Sequence, residues 1–141
     1  MIETTYRRST VVLVISVLTV GEAFSFFLFS LLHLGIQFPL GISEPFSTGA
    51  GVVEGLCWLV LTICTYAIFA QKTWAWSITV AAHIFAVLSV LLGIYTTLND
   101  PGDQANFIFH RVILVTLAVV LALLATSRAR AELGRRKRSF T

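Results

Sequence analysis

Glu22, His33, Glu54, His83 and His110 stand inside long apolar runs of a chain that is otherwise poor in charge. Imidazole and carboxylate are the side chains that exchange protons near neutrality, bind transition metals and, as facing histidines, ligate haem. A charged group at the centre of a bilayer costs about 2.5 kcal/mol or several times more, so ionisable residues there mark pairs or sites. No nucleophile–base set, phosphate-binding glycine loop or dinucleotide fingerprint accompanies them, which argues against classical enzyme catalysis.

The elements that must position these residues are membrane spans. Hydrophobic residues make up 57% of the chain and charged ones 12%, against about 45–50% and about 25% in soluble domains. Apolar segments run approximately over 11–36, 52–70, 74–98 and 107–125, each near the ~20 residues that cross a bilayer as a helix. Residues 1–141 read as one all-α domain, an antiparallel four-helix transmembrane bundle, with a basic tail at 126–141 and no room for a water-soluble module. Pro39, Gly41, Pro45 and Gly49 break the chain after the first span, and Asn99 to Asp103 form a turn cluster after the third. A run of Arg7 and Arg8 leading to Gly21-Glu22-Ala23 has some features of a signal peptide, but the apolar run continues to Leu34, as an uncleaved helix requires.

Arg7, Arg8, Lys72, Arg128, Arg130, Arg135, Arg136, Lys137 and Arg138 fall on one side of a four-span chain. Glu44, Asp100 and Asp103 fall on the other. The positive-inside rule then puts both termini in the cytoplasm of a multi-pass cell-membrane protein. Trp74 and Trp76 are expected at the inner interface and Tyr95 near the outer one.

Depth sorts the ionisable residues into two layers. At 1.5 Å per residue, His33, Glu54 and His110 lie about 4–6 Å below the outer ends of their helices, and Glu22 and His83 roughly 20 Å below. Glu22 and His33 are about three turns apart, on one stripe of the first helix with Ser25 and Phe29 between them. Asn106 is one turn from His110, and Thr79 one turn from His83. Gly51/Gly55, Gly21/Ser25, Ala82/Ala86 and Ser89/Gly93 have the small-xxx-small spacing of close helix contacts.

For His33, Glu54 and His110 the open readings are interhelical hydrogen bonding, a transition-metal ligand set, haem held between His33 and His110, or proton transfer. Arg111 is expected to pair with Glu54 or to reach water beside Asp103, and would suit an anionic ligand such as a carboxylate, phosphate headgroup or haem propionate. Glu22 and His83 are expected to face each other in the interior, either as a proton- or ligand-handling site or as a satisfied hydrogen-bonded pair. Cys57 and Cys64, about 10 Å apart on one helix, read as packing residues beyond disulfide reach. The basic tail is explained by topology, with a grip on anionic lipids as the further possibility, and nothing points to nucleic acid.

The strings His33-Leu34-Gly35, Val53-Glu54-Gly55, Ala82-His83-Ile84-Phe85, and Asn106 followed by His110-Arg111 resemble those of small four-helix bacterial membrane proteins of unknown function. The likeness to the DoxX-like group is in size and helix count only. It implies that these polar positions belong together. The expected function is therefore a buried His/Glu site that binds a metal ion, haem or anionic ligand or handles protons. The alternative is a non-catalytic accessory subunit of a larger membrane complex, respiratory for example, or a homo-oligomer.

Overall fold

The computed structural model describes residues 8–37, 45–99 and 104–134. They form α1 (Thr10–His33), α2 (Thr48–Phe69), α3 (Ala75–Asn99), α4 (Gln104–Leu124) and α5 (Ser127–Leu133). The first four are long and apolar enough to cross a membrane, and their limits fall within a few residues of the spans read from the sequence. Arg7, Pro39, Gly41, Glu44, Asp100, Asp103, Arg135, Arg136, Lys137 and Arg138, which entered the topology and turn arguments, lie outside the described residues.

Local chemistry explains where the helices begin and end. Ser9, Ser47 and Thr126 cap α1, α2 and α5, each accepting a backbone N–H from three residues on. At the end of α1, Gly35 has φ +88°, while its N–H donates to Leu32 O and that of Ile36 to Leu31 O. This is the Schellman stop, whose left-handed residue is usually glycine. The same stop ends α2, with Gln71 N–H on Ile68 O and Lys72 N–H on Ala67 O, but there the left-handed residue is Gln71, at φ 52°.

The four long helices pack in a ring, α1 against α2, α2 against α3, α3 against α4 and α4 against α1, so α1 and α3 are diagonal partners. Buried positions recur every three or four residues, as in Val12, Ile15, Thr19, Glu22 and Phe26 on α1 and Phe109, Ile113, Leu117, Val120 and Leu124 on α4. That is the inward seam of a helix bundle. Outside the seam the surface stays apolar: Val17, Phe24, Leu88 and Val115 are each about 60% exposed, an arrangement that suits lipid and not water. The protein is a helical membrane protein.

Close approach of α1 and α2 depends on Gly51 and Gly55. A Cβ on Gly51 would lie 2.8 Å from Leu34 Cγ and 3.2 Å from Ser30 O, and the space instead admits a bond from Ser30 Oγ to Gly51 O, 2.7 Å. Gly21 and Ser25 make no such contact, because Gly21 faces open space and Ser25 donates to Gly21 O on its own helix. Cys57 and Cys64 are fully buried free thiols in the core around Phe26, Leu61 and Leu117.

At the end of the bundle that carries the termini, the first part of the tail folds as α5, which the sequence reading missed. Ala129 and Leu133 of α5 join Val12, Ile15, Ile68, Val120 and Leu124 in a second core. Polar ties close this end: Arg8 donates to Ile68 O and Phe69 O, Ser9 N–H to Glu132, and Trp76 Nε1–H to Leu124 O. Carbonyls in the last turns of α2 and α4 thereby gain side-chain donors. Arg130 lies 4.7 Å over the Trp76 ring, so the ring is tied into the bundle as well as lying near its end.

Candidate functional site

Glu22 stands halfway along α1 and His83 one third of the way along α3, and both side chains turn inward across the diagonal of the ring. His83 Nε2 is 3.0 Å from Glu22 Oε2, and the side chains are 0% and 2% exposed. On its other side, His83 Nδ1 is 2.7 Å from the carbonyl of Thr79, one turn back on the same helix. A carbonyl oxygen only accepts, so Nδ1 carries a hydrogen and donates. In a neutral ring with its hydrogen on Nδ1, Nε2 presents a lone pair to a carboxylate that also has only lone pairs. The contact is bonding only when a further proton lies between Nε2 and Oε2, whichever atom holds it. The Glu22–His83 pair is then neutral as a unit, which suits its dry surroundings.

Two further oxygens belong to this place. Glu22 Oε1 and Thr19 Oγ1 are buried with no hydrogen-bond partner, on residues three apart and so on one face of α1. Ser16, three residues further down, is also buried, and donates to Val12 O. Hydroxyl groups thus step from Glu22 toward the terminal end at one-turn intervals. In the opposite direction the way is closed by aromatic rings. Phe109 stacks on Phe29 with centroids 3.6 Å apart and meets Phe26 edge-on at 5.9 Å.

Beyond those rings, toward the two longer connections, lies the second layer. His33 Nδ1 is 2.8 Å from Glu54 Oε2, with both side chains buried. His33 Nε2 faces Asn106 Nδ2 at 3.5 Å. With the amide nitrogen donating to Nε2, His33 donates from Nδ1 to Glu54 Oε2, and Glu54 Oε1 has no hydrogen-bond partner. Asn106 also joins His110 to the group, since its backbone oxygen accepts from His110 Nδ1 at 2.9 Å.

Glu54, Asn106 and His110 border a cavity of about 400 Å³ between the start of α2 and the end of α3, floored by Phe26. The His110 ring presses on Gly93 of α3 with its Nε2 end foremost: a Cβ there would meet Nε2 first and fall 2.6 Å from Cδ2 and 2.9 Å from Cε1. Gly93 is therefore a socket for His110 and not the helix-to-helix contact suggested by its spacing from Ser89.

The structure thus brings together Glu22 with His83 and His33 with Glu54, and links His110 to the latter through Asn106. Among the described residues no group of three His, Cys, Asp or Glu side chains gathers closely enough to hold a metal ion, so the metal reading of His33, Glu54 and His110 gains no support, and the haem reading rests on no feature of the cavity. Of the two outcomes expected for Arg111, the pairing with Glu54 is not formed, and Asp103 of the other lies outside the described residues. Arg111 is exposed and its guanidinium lies 3.8 Å over the Phe107 ring. One residue is a turn of about 100° on a helix, so with His110 facing inward Arg111 must face outward. The stripe between Glu22 and His33 runs through Phe26 and Ser30 and not through Ser25, which is only half-buried. Sequence reasoning did not find Thr19, Ser30 or the cavity, although Thr19 and Ser30 are eleven residues apart, the same three-turn spacing as Glu22 and His33.

The fold and the site together define a four-helix membrane protein with two buried His/Glu pairs. No protein-family model, no curated protein and no solved structure matches this chain.

Proposed function

We propose that the protein is a multi-pass cell-membrane protein that takes up and releases a proton at Glu22–His83, with both termini on the cytoplasmic side. The observation that carries this reading is the Thr79 carbonyl on His83 Nδ1. It fixes the ring so that the contact with Glu22 is stable only while one proton is held. Losing that proton leaves a net negative charge with no opposite partner in a medium that penalises it, so the pair is a proton store whose release must be driven. The hydroxyls of Thr19 and Ser16 lead toward the cytoplasmic end, whereas Phe26, Phe29 and Phe109 close the other side. Exchange therefore takes place with the cytoplasm.

The test uses the full chain in liposomes carrying an internal pH dye, together with the carboxylic C=O band in infrared difference spectra across a pH step. Wild type is expected to show a proton-linked response that Glu22→Gln abolishes without loss of helix content, because an amide N–H can still donate to His83 Nε2. An identical response in Glu22→Gln, or none in wild type, overturns the proposal. The pair is then interior hydrogen bonding, and the accessory-subunit reading takes its place.

A further inference from the structure

The cavity at the loop end is separate from Glu22–His83, and its chemistry does not depend on the proton reading. Its volume of about 400 Å³ falls in the lower part of the roughly 300–1,000 Å³ range of small-molecule sites. Apolar walls come from Phe26, Val53, Val90 and Leu92, with Thr96 at the rim. Glu54 borders this space while 5% exposed, and its Oε1 has no hydrogen-bond partner. His33 Nδ1 occupies the other oxygen, Oε2. Arg111, the cation that would have recommended an anionic ligand, is held outside over Phe107. An anion in the cavity would meet the Glu54 carboxyl group with Arg111 turned away from it, and a ligand that brings no donor would leave Oε1 unsatisfied.

We infer that the cavity binds a lipophilic molecule carrying a protonated amine, with the ammonium on Glu54 and the apolar tail against Phe26, Val53 and Val90. An ammonium supplies the missing donor as well as a charge opposite to a carboxylate's, and hydrogen bonds to charged groups are the stronger kind. Two residues that line the cavity, Gly49 and Leu92, are exposed on the outer surface of the bundle, a route by which an amphiphile would enter from the bilayer.

The test compares three molecules with one tail and different heads, namely 4-phenylbutan-1-amine, 4-phenylbutan-1-ol and 4-phenylbutanoate. Each is titrated near neutral pH into the full chain in maltoside micelles, with empty micelles subtracted. The amine is expected to bind about tenfold or more tightly than the alcohol, and the carboxylate most weakly. Glu54→Gln should bring the amine down to the level of the alcohol. Ala50→Leu, which narrows the cavity and keeps the His33–Glu54 bond, should weaken the amine and the alcohol together, and it decides the matter if Glu54→Gln does not fold. The inference is overturned if the carboxylate binds as well as the amine, if amine binding survives in the folded variants, or if none of the three binds wild type above the micelle background.

Discussion

Replacing Gly93 by alanine probes the contact that holds α3 and α4 together beside the cavity. The added methyl would stand 2.6 Å from His110 Cδ2 and 2.9 Å from Cε1, whereas carbon–carbon contacts are at their best near 3.5–4.0 Å. Something must therefore move by roughly 1 Å. The imidazole cannot swing aside cheaply, because Nδ1 is tied to Asn106 O and the ring is 7% exposed. Overpacking of this kind costs typically 1–3 kcal/mol, and Gly93→Ala should lower stability by that amount in mixed-micelle unfolding followed by circular dichroism. His110→Ala removes the obstacle and leaves a gap that the new methyl partly fills. The double variant should then be more stable than the sum of the two single effects predicts, by about 1 kcal/mol or more. Additive losses, or a Gly93→Ala protein as stable as wild type, would refute the contact as the source of the effect.

Two further expectations concern the terminal end. Gln71 holds a left-handed conformation at φ 52° that costs a residue with a side chain roughly 1–2 kcal/mol, so Gln71→Gly should raise the unfolding midpoint; a lowered midpoint would show that the Gln71 side chain contributes more than its backbone strain. Partial burial raises the Glu132 carboxyl, but the Ser9 hydroxyl and backbone N–H, with Arg128, outweigh it and hold the group below the ordinary carboxylate value. A carboxylate lowered in this way stabilises the docked α5 fully above the ordinary value and loses that contribution as pH falls through its own lower one. In a chain whose only tryptophan is Trp76 (Trp58→Phe, Trp74→Phe), fluorescence should change over that acid range, because Arg130 of α5 covers the ring; the same transition in Glu132→Gln would refute the assignment.

What the sequence disclosed follows from which forces act along the chain and which act between helices. Span limits and the inward direction of Glu22 and His83 were legible because bilayer thickness and helix period are fixed lengths. The pairing of His33 with Glu54 was anticipated from depth, since both lie near the same end of adjacent helices. Depth left Arg111 with two outcomes, Glu54 or water, because it says nothing about rotation: His110 and Arg111 differ by one residue in height but by about 100° in direction. Gly93 was read as a helix contact from its spacing to Ser89, although its partner proved to be a ring from another helix. The α5 segment escaped notice because seven residues (Ser127–Leu133) are too few to show an amphipathic period among so many arginines, and its stability comes from Leu133 and Ala129 meeting a core that only the assembled bundle provides.

Both buried pairs have one member on α1, at points separated by about 16 Å along its axis, and their other members belong to different helices, α2 and α3. A rod pinned at one height can pivot; pinned at two heights to two other helices, it has its tilt and rotation fixed together. A slip of α1 by a single residue, about 1.5 Å with a turn of 100°, would carry Glu22 away from His83 and His33 away from Glu54 in the same movement. The two sites therefore cannot be opened one at a time by sliding this helix. Whatever pulls on His33 acts, through a rigid shaft, on the contact between Glu22 and His83.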